Sequence, residues 1–220
     1  MPVFDYKTLR LLMGLIAITL APIVSIISGM SLPSVSHSYY TAAQDVFIGM
    51  LFVIGTLLWA YNGHTIRESL ASKGASVAAI FVALFPTACS ECGSNLTSTI
   101  HAAAAVTLFA ILAYFCFGPF RENTKGQIGK KRRRSRIYLV CGSIMVGCML
   151  IGLIAKLTLS DETVDAKSII YLVEAIALGV FGVAWIVAGK SLSIIVDEDQ
   201  KLHLFRHRGA LLAVSCPSFS

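Results

Sequence analysis

Six runs of mostly apolar residues divide the chain: Leu9 to Gly29, Ala43 to Tyr61, Ala75 to Cys89, Thr99 to Phe117, Ile137 to Lys156 and Ser168 to Gly189. A helix rises 1.5 Å per residue, so about 20 apolar residues cross a hydrocarbon core of about 30 Å; all but the third run reach or approach that length. Such runs lack the short alternation of a barrel strand, and a backbone in lipid must satisfy its own polar groups, so each run is predicted to be helical. The pattern predicts an all-α, polytopic membrane protein. Its six-transmembrane-helix bundle covers residues 1–190, and a short tail covers 191–220. Pro86 interrupts the third run early, which predicts a helix ending within the membrane and a segment, Thr87 to Ser98, folded back as a lid.

The polar gaps give this frame an orientation. Sixteen of the eighteen lysines and arginines fall in alternate gaps. They are Lys7 and Arg10; Arg67 and Lys73; Arg121, Lys125 and the run from Lys130 to Arg136; and Lys190, Lys201, Arg206 and Arg208. Lys156 and Lys167 alone lie in the other gaps. Basic residues favour the cytoplasmic side, so both termini are predicted to be cytoplasmic. The first run is longer than the apolar core of a signal peptide and is read as a retained helix. With 56% hydrophobic and 14% charged residues in 220, the chain has no room for a separate soluble catalytic module.

That orientation gathers the polar chemistry of the spans on one face. Glu174 lies about 9 Å along the last span from Ser168. Asp45 opens the second span, His101 opens the fourth and Lys156 ends the fifth, all near the outer leaflet. The first outer gap adds His37, Tyr39 and Tyr40. Ionisable groups inside a membrane face a protein interior or a water-filled cavity, so Glu174, His101, Asp45, His37, Tyr39 and Tyr40 form the candidate ligand-binding set. Simpler readings stand beside this one. Asp45 is also a first-turn acid, favourable at a helix N-terminus; Tyr39 and Tyr40 are also interfacial aromatics; Glu174 also has Lys156 as a candidate ion-pair partner.

No His-x-x-x-His spacing preorganises a metal, so none is expected; a zinc ion, if bound, would take His37, His101 and Asp45. Cys89 and Cys92, in Cys-Ser-Glu-Cys on the outer side, read as a disulfide, as two unrelated thiols or as a redox or metal pair. Cys116, Cys141 and Cys148 read as small packing residues. Small residues four apart (Ser143 and Gly147, Cys148 and Gly152, Ala175 and Gly179) let helices approach closely, within one monomer or across a homo-oligomer. The run Lys130 to Arg136 has six basic residues in seven. Without aromatic interleaving it reads as a stop-transfer signal against anionic headgroups and not as a nucleic-acid site.

The stretches Ser34 to Thr41 (SVSHSYYT), Asp45 to Gly49 (DVFIG), Ala83 to Thr87 (ALFPT), His101 and Ile137 to Gly142 (IYLVCG) resemble a family of bacterial six-span membrane proteins. The likeness covers most of the chain and implies a six-span fold in the bacterial inner membrane. More loosely, the Ser-rich loop after the first span is similar to the DRAM and Sfk type of membrane protein. Ser34, His37, Asp45 and His101 are also similar in residue type to the zinc-holding groups of alkaline ceramidases and adiponectin-type receptors. That likeness implies a metal-dependent hydrolase of lipid amides or esters. It departs in span number, in the Ser34 to His37 spacing and in lacking a late His pair. The leading expectation is a membrane protein whose outer-side polar pocket binds a lipid or small amphiphile; a hydrolase and a small transporter or channel are the alternatives.

Overall fold

A computed structural model of the protein describes residues 6–88, 95–122, 124 and 129–189. They form α1 (Tyr6–Ser28), a 3-10 helix (Ser36–Tyr40), α2 (Gln44–Ala60), α3 (Ile66–Leu84), α4 (Leu96–Phe117), α5 (Pro119–Glu122), α6 (Lys130–Thr158), α7 (Asp161–Ala166) and α8 (Ile169–Ala188). No strand occurs among the described residues. Four stretches, Tyr6–Ser28, Leu96–Glu122, Lys131–Thr158 and Ile169–Ala188, are long and apolar enough to cross a membrane. These mark a multi-pass membrane protein. The apolar α2 is shorter, at 17 residues.

Three boundaries differ from expectation, each for a local reason. The third helix begins at Ile66 and ends at Leu84, ahead of Pro86. Thr65 caps it by accepting the Glu68 N–H, so Arg67, Glu68 and Lys73 are helical instead of lying in a gap. The fourth begins at Leu96, behind a capping box in which the Asn95 and Ser98 side chains exchange bonds with each other's backbone. The basic run is itself helical, forming the first turns of the 29-residue α6. Cys89, Cys92 and the tail from Lys190 onward lie outside the described residues, as does the middle half of the proposed lid, 89–94.

The six long helices close into a ring in chain order. Each packs on its predecessor, from α1 through α2, α3, α4 and α6 to α8, and α8 returns to pack on α1. Neighbours run antiparallel. At one end the start of α1 meets the ends of α2 and α8, since Arg10 donates to the Tyr61 hydroxyl at 2.5 Å and to the Ala188 carbonyl at 2.9 Å. At the other end the connection after α1 meets the start of α8, where the Tyr171 N–H donates to the Pro33 carbonyl at 2.9 Å. Ser72 and Ser76 of α3 tie into α2 by donating to the Leu58 and Gly55 carbonyls, both at 2.6 Å.

Ring closure depends on two glycines that face each other. A Cβ on Gly182 would sit 2.5 Å from the Gly14 carbonyl oxygen, and one on Gly14 would sit 2.6 Å from the Gly182 carbonyl oxygen. The backbones of α1 and α8 therefore touch, which only glycine permits. Gly147 and Gly179, expected to mark packing faces, would carry a Cβ into open space. Gly152 would make only ordinary contact, 3.5 Å from Val173. Gly182→Ala should therefore lower stability by about 1 to 3 kcal/mol through overpacking. Gly179→Ala should leave it unchanged or raise it by up to about 1 kcal/mol. Thermal unfolding in detergent separates the two, and equal melting temperatures would contradict the contact.

Candidate functional site at the Glu174 end of the bundle

Glu174 projects from the second turn of α8 and is the acid that organises this end. Its Oε2 accepts the Val35 N–H at 2.7 Å and the Ser36 N–H at 3.4 Å. The local sequence explains the fit. Val35 and Ser36 open a 3-10 helix whose first N–H groups have no partner within it, and a carboxylate is the natural acceptor for them.

Further bonds fix the α1–α2 connection on both sides. Toward α8, Ser31 and Ser168 share a hydrogen bond at 3.1 Å. The Tyr171 hydroxyl donates to the Ala21 carbonyl within α1 at 3.3 Å, tying α8 to the helix that leads into the connection. Across the bundle, the Tyr40 hydroxyl donates to the Thr87 carbonyl at 2.7 Å. The connection thus lies over the ring as a plug. Part of the expected lid, Thr87, serves as its anchor.

Beneath the plug is a cavity of about 30 Å³. Leu20 of α1, Phe47 and Leu51 of α2, Val82 of α3, Ala105 and Leu108 of α4, and Leu178 of α8 line it, with Val35, Ser36 and Glu174. Five of the six ring helices contribute, which puts the cavity on the bundle axis. Glu174 is the one ionisable side chain in the lining. The space exceeds the roughly 10 to 15 Å³ that a water molecule needs, but it is far smaller than an acyl chain.

The other candidate residues separate. His101 is buried, but its Nδ1 lies 2.7 Å from the Phe85 carbonyl, so it serves the C-terminus of α3. Asp45 is exposed on the first turn of α2 and makes no hydrogen bond or ion pair among the described residues. Lys156 bonds Asp161 at 2.9 Å instead of Glu174, and its hydrogen bond and charge lower the Asp161 pKa. Glu174 has no ion-pair partner among the described residues. His37, Tyr39 and Tyr40 do gather: the Tyr40 ring centroid lies 5.5 Å from each of the other two. Among the described residues no three His, Cys, Asp or Glu side chains converge as a metal-binding group.

The opposite end holds a cluster that sequence reasoning missed. Arg10 lies over the rings of Tyr61, at 5.0 Å, and Phe120, at 5.4 Å. Tyr61, Phe115, Phe120, Phe181 and Trp185 pack edge-on or tilted against one another. Glu68 is buried here, accepting the His64 N–H at 2.9 Å and the Tyr61 hydroxyl at 3.5 Å. The signal available was Thr65-Ile-Arg-Glu68, a capping pattern that places Glu68 one turn into a helix.

Tyr40 offers a titration test of the plug. Partial burial, with the neighbouring Tyr39, raises its phenol above the ordinary value of 10.0. A raised acid favours the protonated folded form, so this contribution is complete below the unfolded value and is lost as pH rises through the folded one. Wild-type minus Tyr40→Phe ultraviolet difference titration should show a phenol ionising above pH 10.0; a midpoint at or below that value would contradict the contact. No protein-family model, curated protein or solved structure matches the chain, so its function has to be read from this geometry.

Proposed function

We propose that the chain is a six-span membrane protein with both termini cytoplasmic, and that its Glu174 end faces outward and receives the headgroup of a lipid or small amphiphile. The antiparallel ring supports the topology. Lys7, Arg10, Arg67, Lys73, Arg121 and the start of α6 all fall at the end remote from Glu174, as positive charge on the cytoplasmic side requires.

One observation carries the ligand reading: Glu174 borders an axial cavity and is held by backbone N–H groups without a counter-charge among the described residues. Low-dielectric surroundings penalise an unpaired carboxylate, so an ammonium or hydroxyl group is its natural complement. A space of about 30 Å³ admits the tip of such a headgroup, with the chains remaining outside among lipid. His37, Tyr39 and Tyr40 form the rim, where amphipathic rings suit the headgroup zone.

Glu174→Gln tests this, because an amide oxygen still accepts from Val35 while the charge is gone. Native mass spectrometry of wild-type protein should detect a retained amine-headgroup lipid, with affinity about tenfold lower in the variant. Equal retention, or none in wild type, would overturn the reading. Topology has its own check. A fluorescent protein fused after Ser220 should fluoresce and alkaline phosphatase at the same point should be inactive; the reverse pattern would place the termini outside.

A further inference from the structure

At the Arg10 end, Trp185 and Arg10 lie against the Phe120 ring, and among the described residues they and Arg121 carry shielded N–H groups without acceptors. Trp185 is fully buried and its Nε1 has no partner among the described residues; the same holds for the shielded Nε atoms of Arg10 and Arg121. The Phe120 ring links these groups. It lies 5.2 Å from the Trp185 ring, 5.5 Å from Tyr138 and 5.4 Å from the Arg10 guanidinium carbon, and Arg121 is the next residue. Arg134, buried on α6 one turn before Tyr138, lies with Arg10 within electrostatic reach of the Tyr138 hydroxyl.

The charge balance points the same way. Glu68 is the buried acid of this end, and its Oε2 is occupied by the His64 N–H and the Tyr61 hydroxyl; Glu122 is exposed. Among the described residues, arginines therefore outnumber buried carboxylates here. Arg10 spends two of its five N–H groups on Tyr61 and Ala188, leaving the rest of its fork available. Arg10 and Arg121 both remain partly exposed, so the cluster is reachable from the surface.

We infer that this end binds a phosphate group, with Arg10 and Arg121 as the contacting forks, Arg134 adding positive potential and Trp185 supplying a donor at the floor. Buried N–H groups without acceptors are costly, and a phosphate offers several oxygens in a geometry that guanidinium matches two bonds at a time. The phosphate belongs either to an anionic membrane lipid or to a free phosphate ion. This site is separate from Glu174 and does not depend on what binds there.

Full-length purified protein tests it in two arms. In the first, phosphatidylglycerol is titrated against phosphatidylcholine in nanodiscs and bound lipid is counted by native mass spectrometry. In the second, inorganic phosphate is titrated in detergent against chloride at equal ionic strength, with binding followed by calorimetry. Binding in the first arm assigns the site to a lipid headgroup, and binding only in the second assigns it to a free anion. In the arm that binds, Arg121→Gln should weaken affinity about tenfold. Lys167→Gln, exposed at the Glu174 end of the bundle, should leave it unchanged. Arg10→Lys keeps the charge, removes the fork and should weaken binding as Arg121→Gln does. Absence of binding in both arms, or equal losses in Arg121→Gln and Lys167→Gln, would overturn the proposal.

Discussion

The contact of the α1 and α8 backbones at Gly14 and Gly182 is the constraint on which the rest of the structure depends. Lipid tails are as apolar as the side chains they surround, so helices in a membrane gain little from hydrophobic exclusion and associate through close packing and hydrogen bonds. Closing the ring at this point brings the last helix beside the first. The connection after α1 then lies against the start of α8, where Glu174 meets the N–H groups of Val35 and Ser36.

The two ends of the bundle solve the problem of buried polarity differently. At one, a carboxylate is satisfied by backbone donors and borders a small cavity. At the other, Arg10 is held by the Tyr61 hydroxyl, the Ala188 carbonyl and two aromatic faces, leaving donors to spare. Between them, Ser72 and Ser76 turn their hydroxyls back onto α2 carbonyls. Apart from Ser36, the axial lining next to Glu174 is leucine, phenylalanine, valine and alanine. The proposed recognition at each end, instead of passage through the middle, rests on this distribution.

Helix positions were legible in the sequence because apolar length is a strong signal, and α1, α2 and α8 begin and end within a few residues of their apolar runs. The start of α3 was obscured because its first turns are charged, and charge in a membrane chain reads as a gap until the Thr65 cap is noticed. Glu174 stood out as an acid among apolar neighbours. Its partners did not, since backbone N–H groups leave no trace in residue identity. The sequence marks Arg10 as a topology signal and Arg134 as part of a basic run against headgroups, because it does not say which members of a basic series turn inward; that depends on where Tyr61, Phe120 and Tyr138 present their rings. Gly14 and Gly182 lie in different helices, so no spacing rule pairs them.

The central claim is that the Glu174 carboxylate holds the plug closed over the bundle axis. Amide hydrogen exchange across residues 33–41 measures this most directly. The account predicts slow exchange at Val35 and Ser36 in the wild type and much faster exchange in Glu174→Ala, with α1 and α8 remaining protected. Equal exchange in the two proteins would contradict it.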